Sequence, residues 1–254
     1  MNSASRLSSR IDEDCISRLS VEAPAQNQVT MKNSQSALNV WLRFCDRFKI
    51  AESSVPLFAV TDGVATTKQI GRENTRRVLS RSEAMEAMLR SEASKAIADF
   101  QENRSSIDGL IYMMLRIENG EVIPLYIGKA GTVGKTPGQL SANMSNIERD
   151  KSKFCRWGDN YAYHVGDLSA IVLAHPEKRH TIKYRRWAEA LFTNYPTEAP
   201  VLKGDIRFWC IAWSNKKIGI WEDFGPVGLK FLEYLLIGVA GALFPQHLLN
   251  TEGN

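Results

Sequence analysis

Two apolar segments joined by an Asn-Gly pair constrain the fold of this chain more than any other feature. The segments GLIYMMLRI and EVIPLYIG lie on either side of Asn119-Gly120. Both contain β-branched and aromatic residues, which favour strands. Asn-Gly is the pair that tight hairpin turns prefer. The sequence therefore predicts an antiparallel hairpin near the middle of the chain.

Helices and further strands are predicted around this hairpin from apolar periodicity. The predicted helices are a segment from Ala37, one near Ser80 with a capping box, TIKYRRWAEALF, and a last one between Gly225 and Pro245. The additional predicted strands are LSAIVLAH and IRFWCIAWS, at 168–175 and 206–214. We therefore expect an α+β fold, with a small mixed sheet flanked by helices.

Three regions are predicted along the chain. Residues 1–35 are polar and carry few large apolar groups, so we expect a mobile tail. Residues 36–105 form a predicted helical N-terminal region. Residues 106–254 contain the hairpin and the last helix, with a large polar insertion at about 131–205.

Bulk composition is that of a globular, mildly basic protein. The net charge of +4 permits a polyanionic partner without requiring one. The four cysteines form no CxxC pair, which argues against a zinc site or a disulfide framework. We expect a cytoplasmic protein, because no secretory signal is recognised and the apolar run 235–244 is too short to span a bilayer.

The stretch PLYIGKAGTVGKT only superficially resembles a phosphate-binding loop. A Walker loop has the pattern G-x-x-x-x-G-K-[ST], and five positions before Gly134 the chain has Lys129. Pro137-Gly138 interrupts the helix that should follow. A hairpin strand is also the wrong context, because such loops follow a strand of a parallel βαβ unit.

The hairpin instead resembles the GIY-YIG nuclease family. The similar residues are Ile111-Tyr112 on the first strand and Tyr126-Ile127-Gly128 on the second. Leu110 stands where the family has glycine, and Gly109 lies one position earlier. A second similar segment follows strand 206–214, where the last helix and its end supply, in the family's order, Glu233, Pro245 and Asn250. The resemblance covers roughly residues 107–251.

This resemblance implies roles for both tyrosines. Tyr112 would deprotonate or position the attacking water, and Tyr126 would hold the phosphate or a metal-bound water. A free tyrosine has a pKa near 10, so a basic role needs help from neighbouring groups. Lys129 and His164 are the candidates for that help. A structural alternative is that both tyrosines simply pack in the core.

The resemblance also implies an arginine that stabilises charge on the phosphoryl group. Arg149 and Arg156 are the candidates, and we favour Arg156 in FCRWGDNYAYHVGD. His164 in the same segment is a candidate for proton transfer or for a structural hydrogen bond. Asn250 would orient Glu233 or the backbone around it, or would cap the helix.

Glu233 is a candidate site residue even without the family resemblance. Its neighbours on the same helix face are apolar, namely Leu229, Leu236, Ile237, Ala240 and Phe244. A buried carboxylate needs a partner, either a divalent cation or a basic side chain. We prefer the cation, Mg²⁺ or Mn²⁺. The rival carboxylate Glu189 lies beside Arg185 and Arg186, which suggests a surface ion pair.

The tyrosines impose a condition on the hairpin register. A two-residue turn at Asn119-Gly120 without a bulge would place Tyr112 and Tyr126 on opposite faces of the sheet. We therefore predict a three-residue loop, Glu118 to Gly120, which sets Tyr112 directly across from Tyr126. A bulge at Pro124 would also place Tyr112 and Tyr126 on the same face of the sheet.

Two groups of basic residues are candidates for phosphate contacts. If residues 66–81 are helical, Lys68, Arg72 and Arg76 form a stripe at four-residue steps. A second cluster includes Arg179, Lys183 and Arg186. The alternative for both groups is an ordinary solvated surface.

The function we expect is a divalent-metal-dependent endonuclease that hydrolyses DNA phosphodiester bonds, with RNA not excluded as a substrate. The alternative is a catalytically inactive GIY-YIG-like module that binds nucleic acid. A homodimer would suit cleavage of two strands.

Overall fold

The computed structural model describes residues 25–136, 138–147, 149–217 and 225–250. The chain divides into two compact units, residues 1–36 and 37–254, and the boundary lies within the first helix. Of the tail predicted over residues 1–35, residues 1–24 lie outside the described ranges. Residues 25–35 belong to the first helix.

The helices agree with most of the sequence predictions. Within the described ranges they are α1 (Ala25–Arg47), α2 (Ile50–Ser53), α3 (Glu83–Gln101), α4 (His164–Val172), α5 (Ile182–Leu191) and α6 (Leu229–Leu243). The cap of α3 lies two residues later than predicted, because the Ser82 hydroxyl accepts the hydrogen bond from the backbone N–H of Met85 at 2.9 Å. None of these described helices combines the length and apolar character that crossing a membrane requires.

One four-stranded sheet organises the fold. The strands are β1 (Val55–Pro56), β2 (Val60–Thr61), β3 (Val64–Ala65), β4 (Thr67–Ile70), β5 (Arg76–Leu79), β6 (Ile107–Glu118), β7 (Glu121–Gly131) and β8 (Arg207–Ser214). The main sheet has the order β1-β8-β6-β7, and two small hairpins pair β2 with β3 and β4 with β5. The fold is α+β as predicted. The expected mixed sheet is wrong for the described residues, where every strand pairing is antiparallel.

The central hairpin is formed by β6 and β7, but its turn is shorter than predicted. Glu118 pairs with Glu121, so the turn has the two residues Asn119 and Gly120, both with positive φ (52° and 84°). That conformation is the one Asn-Gly favours. The three-residue loop is therefore wrong. A bulge instead brings Tyr126 to the same face of the sheet as Tyr112. Met114 pairs with Tyr126 and Leu115 with Pro124, which leaves Leu125 as the additional residue.

The sheet separates two hydrophobic clusters. One face of β6 packs Tyr112 and Met114 against buried side chains of α3, α4 and α5. The other face packs Ile111 and Met113 against buried side chains of α6 and of the part of α1 from Val40 onward. The sheet is thus covered on both sides, and β7 forms one of its edges.

Two predicted segments differ in the structure. The apolar segment 168–175 was expected to be a strand, but most of it belongs to helix α4. A short apolar run is buried in either conformation, so its hydrophobicity does not decide between them. Region 36–105 is also less helical than expected, because it contains β1–β5, and β1 extends the main sheet by pairing with β8.

Candidate active site

The two hairpin tyrosines lie side by side on one face of the sheet. Tyr112 pairs with Gly128 and is therefore diagonal to Tyr126, with ring centroids 6.4 Å apart. The ring of Tyr112 crosses directly over Gly128, where a Cβ atom would lie 2.7 Å from the tyrosine Oη. Tyr112 is buried, whereas Tyr126 is partly exposed. The glycine of the YIG segment thus makes room for the first tyrosine.

His164 connects Tyr112 to a third phenol. Its Nε2 lies 3.2 Å from the hydroxyl of Tyr112, and its Nδ1 lies 2.7 Å from the hydroxyl of Tyr184 on α5. Trp157 and Trp187 enclose the imidazole, with ring centroids at 4.8 and 5.1 Å. A neutral imidazole has one N–H and one acceptor nitrogen, so one tyrosine donates to it and the other accepts from it.

Burial controls the protonation of the hydrogen-bonded groups Tyr112 and His164. Burial lowers the pKa of His164 well below its ordinary value, and the positive charges of Lys183 and Arg156 lower it further. Burial raises the pKa of Tyr112 well above 10, with smaller contributions of the same sign from Tyr126 and Glu233, while Arg156 opposes the rise. At neutral pH the imidazole and the Tyr112 phenol are therefore both uncharged.

The lowered pKa of His164 makes stability depend on pH. Below about pH 6.5 the unfolded chain binds a proton at this histidine that the folded chain does not bind, so folding becomes less favourable as the pH falls. Exchange of His164 for glutamine, His164→Gln, removes this contribution. We expect the free energy of unfolding of the wild type to fall more steeply between pH 6.5 and 5, by up to about 1.4 kcal/mol per pH unit. Urea unfolding of both proteins measures the two slopes, and equal slopes would contradict a buried neutral imidazole.

Lys183 lies against the second tyrosine. Its Nζ donates a hydrogen bond to the Tyr126 hydroxyl at 3.2 Å and lies 4.5 Å from the centre of the Tyr126 ring. The ammonium is also 5.6 Å from the centre of the Trp187 ring. This lysine was predicted to contact phosphates from a surface cluster. The structure places its ammonium against the Tyr126 phenol, and its contact with phosphate stays a prediction.

Glu233 and Lys129 lie on the opposite face of the hairpin from the tyrosines. Lys129 pairs with Ile111, whose side chain packs against α6, and the Lys129 ammonium donates a hydrogen bond to the Glu233 carboxylate. Glu233 is 8% exposed, so the expectation of a buried carboxylate holds. The partner it has in this structure is the lysine, the alternative that the sequence left open. Strand β7, which carries both Tyr126 and Lys129, is the last strand of the main sheet on its side.

The donor set around Glu233 limits which cation it could bind. In the portion of the chain that the structure describes, no three or more His, Cys, Asp or Glu side chains come together as a metal site. The carboxylate that the site offers is that of Glu233. Such a position fits Mg²⁺ or Mn²⁺, which bind with one or two carboxylates, several waters and substrate phosphate, and does not fit structural zinc.

Asn250 holds the edge strand. Its side-chain amide accepts a hydrogen bond from the backbone N–H of Ile127 at 3.0 Å and donates one to the carbonyl of Ile127 at 2.8 Å. The backbone N–H of Leu249 donates to the carbonyl of Leu125 at 2.7 Å. Asn250 thus pairs with β7 as a neighbouring strand would, which satisfies the polar groups of an exposed edge. These hydrogen bonds are made to the YIG segment. The sequence had instead predicted that Asn250 orients Glu233 or the backbone around it, or caps the helix.

Arg156 lies closer to the tyrosine centre than Arg149. Its guanidinium is 5.9 Å from the ring centre of Tyr163, the residue before His164. Its positive charge acts on the titration of both Tyr112 and His164. Arg149 is exposed and donates a hydrogen bond to Asn146 at 3.4 Å. The placement therefore favours Arg156 as the arginine of the site.

The turn between Arg156 and His164 is fixed by a buried acid. Asp159 is 3% exposed and lies 2.9 Å from the ammonium of Lys68 and 3.9 Å from the guanidinium of Arg81. Arg76 donates a hydrogen bond to the backbone carbonyl of Asp159 at 2.9 Å. These contacts connect the segment that carries the site residues to hairpin β4–β5.

The predicted basic stripe over 66–81 is wrong. Lys68 lies on β4, Arg72 in a 3₁₀ turn and Arg76 on β5, because the segment folds as a hairpin. Lys68 and Arg76 are used in the contacts to Asp159. Arg179 stacks on Tyr161 at 4.4 Å, and Arg186 is exposed on α5. Their binding to nucleic acid stays a prediction.

Comparison with models of known protein families, with curated proteins and with solved structures finds no match to this chain. The assignment of the site therefore depends on geometry and residue chemistry. Sequence reasoning missed Tyr184, although a signal was present. Tyr184, Trp187 and Leu191 share the buried face of α5, and a hydroxyl on such a face needs a hydrogen-bond partner.

Proposed function

We propose that this chain is a divalent-metal-dependent endonuclease of the GIY-YIG type that hydrolyses DNA phosphodiester bonds. The observation that carries the proposal is the meeting of Tyr112, Tyr126 and His164 on one face of the hairpin, with Arg156 beside Tyr163 and with Glu233 held by Lys129 on the other face. These residues are widely separated along the chain. Tyrosine, imidazole, guanidinium and carboxylate groups are a set suited to phosphodiester hydrolysis.

Exposure and hydrogen bonding suggest different roles for the two tyrosines. Tyr126 is partly exposed and contacts the Lys183 ammonium, so its oxygen suits contact with the attacking water or the scissile phosphate. Tyr112 is buried and neutral, and its hydroxyl is hydrogen-bonded to His164. We therefore assign the contact with substrate to Tyr126 and a positioning and proton-holding role to Tyr112 with His164.

The remaining groups would neutralise charge. Glu233, with water and substrate phosphate, would hold Mg²⁺ or Mn²⁺, and a bound cation supplies stabilisation of charge on the phosphoryl and leaving oxygens. Arg156 would donate hydrogen bonds to the phosphoryl oxygens. Without a cation, Lys129 pairs with Glu233.

A cation-dependent cleavage assay tests the proposed function. Purified protein is incubated with supercoiled plasmid, and separately with circular single-stranded DNA, in Mg²⁺ or Mn²⁺, with chelator, and with chelator followed by excess cation. We expect nicked or linear DNA only when free cation is present, and full recovery when cation is restored. DNA that stays intact with either cation, or that is cut equally in chelator, would contradict the proposal.

A second candidate function is a catalytically inactive module that binds nucleic acid. The observation that favours it is the ion pair of Glu233 with Lys129, which occupies the proposed metal ligand. The same assay separates the two functions when retention of plasmid in a gel is recorded. Retarded but uncut DNA at every cation concentration would support the binding module.

Lys183 provides a finer test of the assignment of Tyr126. Lys183→Met keeps most of the apolar stem and removes the ammonium, so the phenol oxygen loses its stabilising charge. We expect the cleavage rate to fall about tenfold, a modest share of what acid–base groups contribute. Lys178→Met, at an exposed position before α5, is the matched control and should cleave as the wild type does. Equal rates for the two variants would remove Lys183 from the centre.

A further inference from the structure

A cavity with several polar side chains in its lining lies beside Arg156. Its volume is about 730 Å³, within the range of small-molecule sites. The loop after β7 forms most of its wall. Its lining includes Lys135, Gln139, Asn143, Ser145, Arg156 and Tyr163. Its charged lining residues are Lys135 and Arg156, and both are cationic.

The cavity adjoins the proposed catalytic centre through two of its lining residues. Arg156 lines the cavity, and its charge acts on the buried Tyr112 and His164. Tyr163 lines it as well and directly precedes His164, the first residue of α4. A strand whose phosphate contacts Arg156 would therefore bring a neighbouring nucleotide to the mouth of this cavity.

The lining has the chemistry that a nucleotide needs. Cations bind phosphate, an aromatic ring stacks on a base, and side-chain amides and hydroxyls form hydrogen bonds with base edges. Lys135 and Arg156 provide the first group, Tyr163 the second, and Asn143 with Gln139 the third.

We infer that this cavity binds one nucleotide of the nucleic-acid strand, next to the scissile phosphate, with its base against Tyr163. The inference builds on the proposed function and adds a substrate class to it. A base can enter such a cavity only after it has left the stack of a duplex. The preferred substrate is therefore single-stranded DNA, or a duplex with an unpaired base at the site.

Binding measurements in chelator test the inference without cleavage. The probes are a fluorescein-labelled 20-nucleotide DNA strand and the same strand in a perfect duplex, followed by fluorescence anisotropy. We expect the wild type to bind the single strand about tenfold more tightly than the duplex, because unstacking the duplex costs free energy. Equal affinities, or a preference for the duplex, would overturn the inference.

A cavity-filling variant locates the binding. Ser145 is exposed and lines the cavity, so Ser145→Trp fills it from the surface. We expect this variant to bind the single strand about tenfold more weakly and to leave duplex binding unchanged. Ser91→Trp, at an exposed position on α3, is the control and should bind as the wild type does. Equal losses on both probes, or no loss, would overturn the inference.

Lys135→Gln keeps the inference testable if the tryptophan variant does not fold. Removal of one phosphate contact should reduce the slope of log affinity against log salt concentration for the single strand by about one, relative to Lys216→Gln. An unchanged slope would overturn the phosphate contact. Failure of the proposed function is recognised separately, because a protein that cleaves no DNA can still show the strand preference, and a cleaving protein can lack it.

Discussion

Glu233→Gln is expected to reduce metal-dependent DNA cleavage by about a thousandfold, the equivalent of several kcal/mol in the activation free energy. The amide has the shape of the carboxylate but lacks the negative charge that holds a divalent cation. Plasmid cleavage at saturating Mg²⁺, followed over time, measures the loss. Lys129 loses its ion-pair partner, but its side chain is 31% exposed and stays solvated. The free energy of unfolding should therefore change by less than about 1 kcal/mol.

The control for this variant is Glu189→Gln, which removes an exposed carboxylate on α5. It should cleave at the wild-type rate. Cleavage by Glu233→Gln at the wild-type rate would exclude this carboxylate as the metal ligand and would point to a different centre or a contaminating nuclease. Loss of cleavage together with a large loss of stability would indicate that the ion pair with Lys129 serves folding.

Gly128→Ala is expected to damage both folding and catalysis. The new methyl group would lie 2.7 Å from the Cε2 and Oη atoms of Tyr112. The tyrosine ring packs against Trp157 and Phe208, with ring centroids at 5.8 and 6.2 Å, so it has little room to move. We expect a loss of about 1–3 kcal/mol in the free energy of unfolding, as for other overpacked cores. The displaced phenol should lower the cleavage rate about a hundredfold.

A second glycine provides the matched control. Gly238 is exposed in α6, and a methyl group there meets no heavy atom within 4 Å. Gly238→Ala should be neutral or stabilising by up to about 1 kcal/mol, because alanine favours the helix, and should cleave as the wild type does. Urea unfolding and plasmid cleavage of both variants give the comparison. Wild-type stability of Gly128→Ala would show that Tyr112 does not depend on this glycine.

The sequence predicted the hairpin well but not its internal register. Asn119-Gly120 specifies the turn locally, and the turn forms as its residue types favour. The side on which Tyr126 points depends in addition on the bulge at Leu125, next to Pro124. The sequence permits a bulge there but does not require it. The face to which Tyr126 points is decided by the packing of the two tyrosines against the same layer of helices.

The candidate site was predictable in its parts and not in its assembly. Helix α5 was predicted, yet only the tertiary structure shows that it packs on the tyrosine face and brings Lys183 and Tyr184 to the phenol and the imidazole. The buried Glu233 was also predicted. The identity of its partner was not, because Lys129 lies 104 positions away and reaches it through the packing of α6 on β7.

The line of hydrogen bonds from Tyr112 through His164 to Tyr184 has no fixed direction. The imidazole can carry its hydrogen on either ring nitrogen, and both tautomers leave the two phenols hydrogen-bonded. The two tautomers differ in which phenol donates and which accepts, so both hydrogen bonds can run in either direction while all three groups stay electrically neutral. An apolar shell of tryptophans that would penalise an ion can therefore surround polar groups that remain hydrogen-bonded in either of two arrangements.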